Sequence, residues 1–279
     1  MTAISKLVMF VHTSSNKKKK GIHLSREAIV RLVMILIAAI TLLVLAIVFR
    51  ETLSDVFYKN FFKKNGYINV LTGLGNTLII TFGGFLIGLI MGILVCLVNG
   101  SKSNNVAVLV LKQIAKFYSL IFRATPVVVQ LLIIYFIIFA SSNISTLIIA
   151  TISFGLNSGA YVSEIIRGGI QAVNKGQMQA GLSLGLSYRS VMGKIILPQA
   201  MSNCFPSLCN EFVTLIKETS VAGFIGTVDL TLAFRMIAND TYDFVPVYLT
   251  MGVCYFILVV FFTSMLSLIE KKVFKNARA

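Results

Sequence analysis

The chain has 279 residues, of which 57% are hydrophobic and only 13% charged, far below the roughly 25% charged residues of soluble domains, so lipid rather than water is the expected solvent. The net charge of +15 would suit nucleic acid, but the basic residues fall between apolar runs and no aromatic-rich basic face or binding motif accompanies them, which argues against a nucleic-acid partner. Cys96, Cys204, Cys209 and Cys254 sit in or beside apolar runs without CxxC spacing, so they read as packing residues, and no metal site is expected.

Residues 1–31 form a basic tail carrying Lys17, Lys18, Lys19, Lys20, Arg26 and Arg31, the pattern that holds a segment in the cytoplasm with some attraction to membrane lipid. The run 32–49 has Thr41 as its only polar member, and about 18 to 20 residues at 1.5 Å each just cross the hydrocarbon core. It is too long for a signal core and no small-x-small cleavage site follows, so it predicts a retained anchor. Five further membrane segments are predicted at 69–98, 107–140, 145–168, 201–221 and 246–268. The segment 69–98 places Gly84, Gly88 and Gly92 at four-residue spacing, which leaves one helix face nearly bare for close packing. The segment 107–140 exceeds one straight crossing, and Pro126 removes a backbone donor and restricts Thr125, so a kink or break is expected there.

Six segments put both termini on one side. With that side cytoplasmic, the inner regions hold eighteen basic residues, and the outer loops hold only Arg50, Lys59, Lys63, Lys64 and Arg235. The longest inner loop, 169–200, is patterned: 175–186 suits one short helix, Ser187 can cap a second, and Pro198 is expected to end the second near the membrane. Such a helical pair suits a docking surface.

Ionisable residues inside a membrane cost roughly 2.5–3.5 kcal/mol on insertion scales and are functional candidates by default. Glu211 lies near mid-depth of the fifth segment, where a carboxylate can meet a cationic substrate group or, alternatively, an internal partner such as Arg123 or Lys217. Glu164 and Arg167, three apart, suit a structural pair, and the neighbours Lys217 and Glu218 point to different faces. Asn157, Ser158, Tyr161, Asn210 and Thr214 are uncharged midplane candidates for substrate binding or helix-to-helix hydrogen bonds. Arg123, Pro126, Glu164, Arg167, Lys217 and Glu218 are candidates for structural or gating roles.

In the inner loop, Gln179-Ala180-Gly181, then Gly185, then Ile195-Ile196-Leu197-Pro198 resemble the EAA signature of ATP-binding cassette (ABC) importer permeases, with matching spacing throughout. FRATPVVVQ (122–130), AYVSEIIRGGIQAV (160–173), KGQMQAGLSLGLS (175–187), IILPQA (195–200) and NEFVTLIKETSVAG (210–223) resemble the polar amino acid branch of that class. The resemblance covers 73–272. It implies an all-α polytopic bundle, a type I importer core of five membrane helices to which 32–49 is an addition. The implied domains are the tail 1–31, the extra helix and outer loop 32–68, the transmembrane domain 69–272 with its coupling loop 169–200, and the tail 273–279. The resemblance assigns ATPase coupling to Gln179, Ala180, Gly181, Gly185, Ile195, Leu197 and Pro198. Gln179 departs from the acidic residue and Gly181 from the second alanine of the signature.

The partners implied are an ABC ATPase subunit dimer, a second permease copy or paralogue, and an extracytoplasmic amino-acid-binding protein, in a bacterial cytoplasmic membrane. No cofactor is expected in this chain; ATP and Mg belong to the partner ATPase. The residues agree, since GxxxxGK[ST], HExxH and GxSxG are all missing and His12 and His23 lie in the tail, so no catalytic residue is assigned. An ion-coupled secondary transporter is the alternative, but no internal repeat is evident and it needs no helical pair to receive an ATPase. Import of a polar amino acid by alternating access is the expectation, with Glu211 leaning towards a cationic one.

Overall fold

The computed structural model describes residues 66–101 and 103–273, with Ile40, Val44 and Ile47 as isolated helical positions before them. The tails, most of the predicted anchor 32–49 and the outer loop to 65 lie outside the described residues. The chain divides into two units, 1–53 and 54–279, and the helices that follow all belong to the second.

Every described element is helical or a turn. Helix α1, Gly66–Gly100, buries Gly73, Thr77, Ile80, Thr81, Gly84, Gly88, Gly92 and Val95, a single stripe at three- and four-residue spacing. Leu71, Ile79, Phe82, Leu86, Ile90, Leu94 and Leu97 are exposed on its other faces. An apolar helix that exposes this much large apolar surface has lipid as its solvent.

Asn105 caps α2, Val106–Ala124, by accepting from the Ala107 N–H. Thr125 is extended, as the residue before a proline should be, and α3, Val127–Ile133, leaves at an angle of 116° before ending in a π-helical turn, Ile134–Ile138. The predicted break at Pro126 is therefore present. Ser145 caps α4, Thr146–Gln171, the most buried of the long helices. The π turn Met192–Ile196 runs into α7, Leu197–Glu218, which continues as a 3₁₀ turn, Thr219–Ile225. Asp229 caps α8, Leu230–Thr241, with both carboxylate oxygens, and α9, Phe244–Val273, closes the bundle.

Among the described residues three helices, α1, α4 and α9, are long and apolar enough to cross a membrane, or five spans if each of the two bent pairs counts as one. Five is the number expected for the core. The tightest contact is between α1 and α4. A Cβ added at Gly88 would lie 2.8 Å from the Ser158 side chain, and one at Gly92 would lie 2.5 Å from Val162. The glycine face is thus a packing surface. The main core of Ile80, Leu131, Ile149, Phe154, Leu215 and Ala222 fills the space where α1, α3, α4 and α7 converge.

Candidate functional site

Glu211 stands 14 residues into the 22-residue α7, about 21 Å along its axis, opposite Ser158 near the middle of α4. It is half-buried, and its Oε1 accepts a 2.8 Å hydrogen bond from the Ser158 hydroxyl on α4. Among the described residues no Lys or Arg lies within ion-pair distance of it, and no protein group bonds Oε2. Neither of the internal salt bridges considered for Glu211 forms, because Arg123 is engaged elsewhere and Lys217 is exposed along an open groove of about 510 Å³ with Ser220, Thr231 and Tyr255. Lys217 and Glu218 make no mutual pair.

Other midplane candidates separate into two groups. Asn157 is 2% exposed, and its amide donates to Gln130 Oε1 at 2.8 Å and to the Phe122 carbonyl at 3.4 Å. Gln130 in turn donates to the Phe122 and Thr125 carbonyls, both at 2.9 Å, which are the acceptors that the break at Pro126 frees from helix bonding. Asn157 and Gln130 therefore link the two sides of the break through their amides, with the Asn157 Oδ1 buried and without a hydrogen-bond partner among the described residues. Ser158 is fully buried and reaches only Glu211. Tyr161 is exposed, Thr214 is half-buried, and Asn210 lines a separate small groove with Cys209, Thr263 and Glu270. Gln130 is not among the residues that the sequence singles out, although a long amide four residues after a helix-breaking proline is the signal that marks it.

Glu164 gathers a cluster towards the far end of α4. It pairs with Arg167 one turn on and with Arg123 of α2, whose Nη1 lies 3.5 Å from Oε1. Arg167 also donates to Gln171 at 2.9 Å. The cluster borders a cavity of about 290 Å³ lined also by Cys96, Asn99 and Ser163. All three charged side chains are about a third to a half exposed, so each bridge is weak, and together they tie the end of α2 to α4.

Beyond α4 the helical pair forms much as expected. Asn174 caps α5, Lys175–Ser183, which ends three residues before the expected limit because Gly185 turns left-handed at φ 79°. The Gly185 N–H bonds the Leu182 carbonyl and the Leu186 N–H bonds the Gly181 carbonyl, a Schellman closure that needs a residue tolerating positive φ. Ser187 caps α6, Tyr188–Val191. Pro198 does not end that helix. The π turn joins α6 to α7 without a break, and Pro198 occupies the first turn of α7, where its missing N–H and fixed φ are tolerated. Gly181 is buried against Val191, and a Cβ there would sit 2.7 Å from Val191 Cγ2, so an alanine at this position would require Val191 to shift. Val173, Val191, Ile196 and Ala200 make a small core beneath the pair, with Ile195 at its edge. Gln179, Ala180, Leu197 and Pro198 remain exposed, as do Leu182, Leu184 and Leu186.

Residues 84–275 match the family model described as the binding-protein-dependent transport system inner membrane component. A protein of Rickettsia felis named for glutamine transport, permease protein GlnP, is 41% identical over 212 residues, 74% of this chain and 91% of that protein. The arginine transport system permease protein ArtQ of Bacillus subtilis is 37% identical over 209 residues, 74% of this chain and 93% of that protein. A solved structure of an amino acid ABC transporter with histidines superposes with a TM-score of 0.69 at 35% identity, covering 77% of this chain and 98% of that one. The permease fold of a methionine ABC transporter is shared at a TM-score of 0.58 and 21% identity.

Proposed function

The chain belongs to the family of binding-protein-dependent transport system inner membrane components, an amino acid ABC transporter permease and not itself an enzyme, and from that premise we propose that it imports a cationic amino acid by ATP-driven alternating access. The observation that carries the substrate class is Glu211, a carboxylate within the membrane helices with one oxygen tied to Ser158 and the other without a protein partner among the described residues. Taking a carboxylate out of water is costly, so a site that keeps one half-buried and unpaired favours a ligand that brings the opposite charge. Among the relatives, ArtQ is named for arginine and GlnP for glutamine, so the two side-chain charges are the alternatives to separate.

ATP and Mg are bound by a partner ATPase, which docks on the surface that carries Gln179, Ala180 and the exposed leucines of α5 and the turn after it. The buried packing of α6 against the start of α7 makes the pair and the transmembrane helix one lever. Closure of two ATPases then moves two such levers together and opens the cavity outward, and hydrolysis resets it. A second permease covers the exposed apolar faces, and an extracytoplasmic binding protein delivers the amino acid. Both termini are cytoplasmic in this arrangement.

The test uses vesicles holding the permease with its ATPase and binding protein, supplied with ATP and without ion gradients. Glu211→Gln keeps the shape and removes the charge. Arginine uptake is expected to fall at least about tenfold, equivalent to about 1.4 kcal/mol, with glutamine uptake little changed. Unchanged arginine uptake by a well-assembled variant removes Glu211 from the substrate site. Uptake that needs an ion gradient and ignores ATP would favour the secondary-transporter mechanism.

A further inference from the structure

Three hydroxyls along α4 show how a membrane helix ordinarily satisfies such groups. Thr151 donates to the Leu147 carbonyl at 2.8 Å, Ser153 to Ile149 at 2.8 Å and Ser163 to Ala160 at 2.7 Å, each within its own helix. Ser158 does otherwise. Its hydroxyl crosses to α7 and gives its single proton to Glu211 Oε1, although the carbonyl of Phe154 one turn back offers the same local solution. The serine does not need the carboxylate. The carboxylate has no other protein donor among the described residues, so the bond serves Glu211.

Space for this arrangement comes from a third helix. Ser158 is fully buried, and a Cβ on Gly88 of α1 would lie 2.8 Å from both its Cβ and Oγ. The hydroxyl therefore has a fixed place, set by the glycine behind it. One carboxylate oxygen is held on a buried neighbour and the other has no bonding partner among the described residues, which restricts how the carboxylate can rotate. Fixed orientation of a charged group raises selectivity because less of the binding energy goes into ordering it when the ligand arrives.

We propose that Ser158 is a positioning residue that sets selectivity for a cationic side chain by holding the Glu211 carboxylate, with Gly88 as the backing that fixes the serine. The inference rests on the reading of Glu211 as the anion of the substrate site. Ser158 itself touches no substrate. Loss of its hydroxyl leaves the charge in place but frees its orientation, so binding of a cationic amino acid weakens and binding of a neutral one does not.

Equilibrium binding of radiolabelled arginine and glutamine to the complete permease–ATPase complex in nanodiscs, without the binding protein, tests this. Ser158→Ala is expected to weaken arginine binding about fivefold, equivalent to about 1 kcal/mol, and to leave glutamine within about twofold. Ser158→Cys, of similar size but a weaker donor, falls between and keeps the test open if the alanine variant assembles poorly. In the Glu211→Gln background, Ser158→Ala should add no further loss, since a residue acting through another is silent once that other is removed. Equal weakening of both ligands, or a full additional loss in the double variant, makes Ser158 a packing residue and overturns the proposal. If Glu211→Gln weakens arginine and Ser158→Ala does not, the positioning role alone fails. If Glu211→Gln leaves arginine binding intact, the substrate-site reading fails first, and this role with it.

Discussion

Two helix contacts in this protein use glycine for different ends. Between α1 and α4, glycines stand where a neighbouring side chain already fills the position a Cβ would take, down to 2.5 Å at Gly92 and 2.8 Å at Gly88, and the contact runs most of the length of both spans. Between α5 and α6 the contact is one short patch, Gly181 against Val191 in a core of four buried residues, and a Cβ placed on the neighbouring Gly185 would meet nothing within 4 Å. In the first contact space is the limiting quantity. In the second, backbone conformation is limiting at Gly185 and space only at Gly181. Within lipid, helices gain little from hiding apolar surface and must approach closely to gain dispersion, whereas a small exposed pair depends on caps and turns.

Substitutions can break that comparison. The largest expected effect is at Gly92, where a leucine must displace Val162 between two packed helices. Gly92→Leu should abolish recovery of monodisperse protein in size-exclusion chromatography. Gly84→Ala, whose nearest neighbour would be at an ordinary 3.4 Å, should be tolerated. Equal tolerance of both would mean that the α1–α4 contact is not limited by space.

Next comes Gly185, where the left-handed backbone and not crowding is at stake. Placing a leucine there costs about 1–2 kcal/mol and unwinds the closing turn. Gly185→Leu should still enter the membrane but lose uptake and substrate-stimulated ATP hydrolysis. Gly185→Asn, which visits positive φ more readily, should keep at least about half of both. Normal uptake by the leucine variant would show that this turn does not carry coupling, and equal failure of both variants would point to a contact made by the glycine rather than its φ.

The smallest effect is expected at Gly181. Gly181→Ala should lower the unfolding midpoint by a few degrees, corresponding to roughly 1 kcal/mol, because the Val191 side chain, 2.7 Å from the added Cβ, must shift. Adding Val191→Ala restores the space while removing apolar contact, so the double variant should melt above the sum of the two single losses. Simple additivity would dissociate Gly181 from Val191.

Much of the candidate site is legible in the sequence. Glu211 stands out because a carboxylate in an apolar run is rare, and the break at Pro126 follows from proline's missing donor and its effect on Thr125. The paired helices and the cap at Ser187 follow from local hydrogen-bonding chemistry that involves residues close in sequence, whereas the cap at Asn174 is seen only in the structure. Ser158 and Asn157, adjacent and similar in chemistry, are indistinguishable on the same terms. Adjacent positions on a helix face directions about 100° apart. One therefore meets Glu211, 53 residues away, and the other meets Gln130, 27 residues away.

The lipid solvent, the number of core spans, the break at Pro126, the patterned inner loop and the family can all be read along the chain. They depend on composition, run length and short-range backbone constraints, which act wherever the chain happens to fold. Helix packing is what sends Arg123 to Glu164 and leaves Glu211 without an ion-pair partner among the described residues, lets Pro198 open a helix through a π turn instead of closing one, and sets Gly88 behind the serine that bonds the carboxylate. Each of these outcomes depends on which helix faces come together, and in a chain where most residues are apolar the pattern along the sequence does not distinguish a face that meets lipid from one that meets another helix.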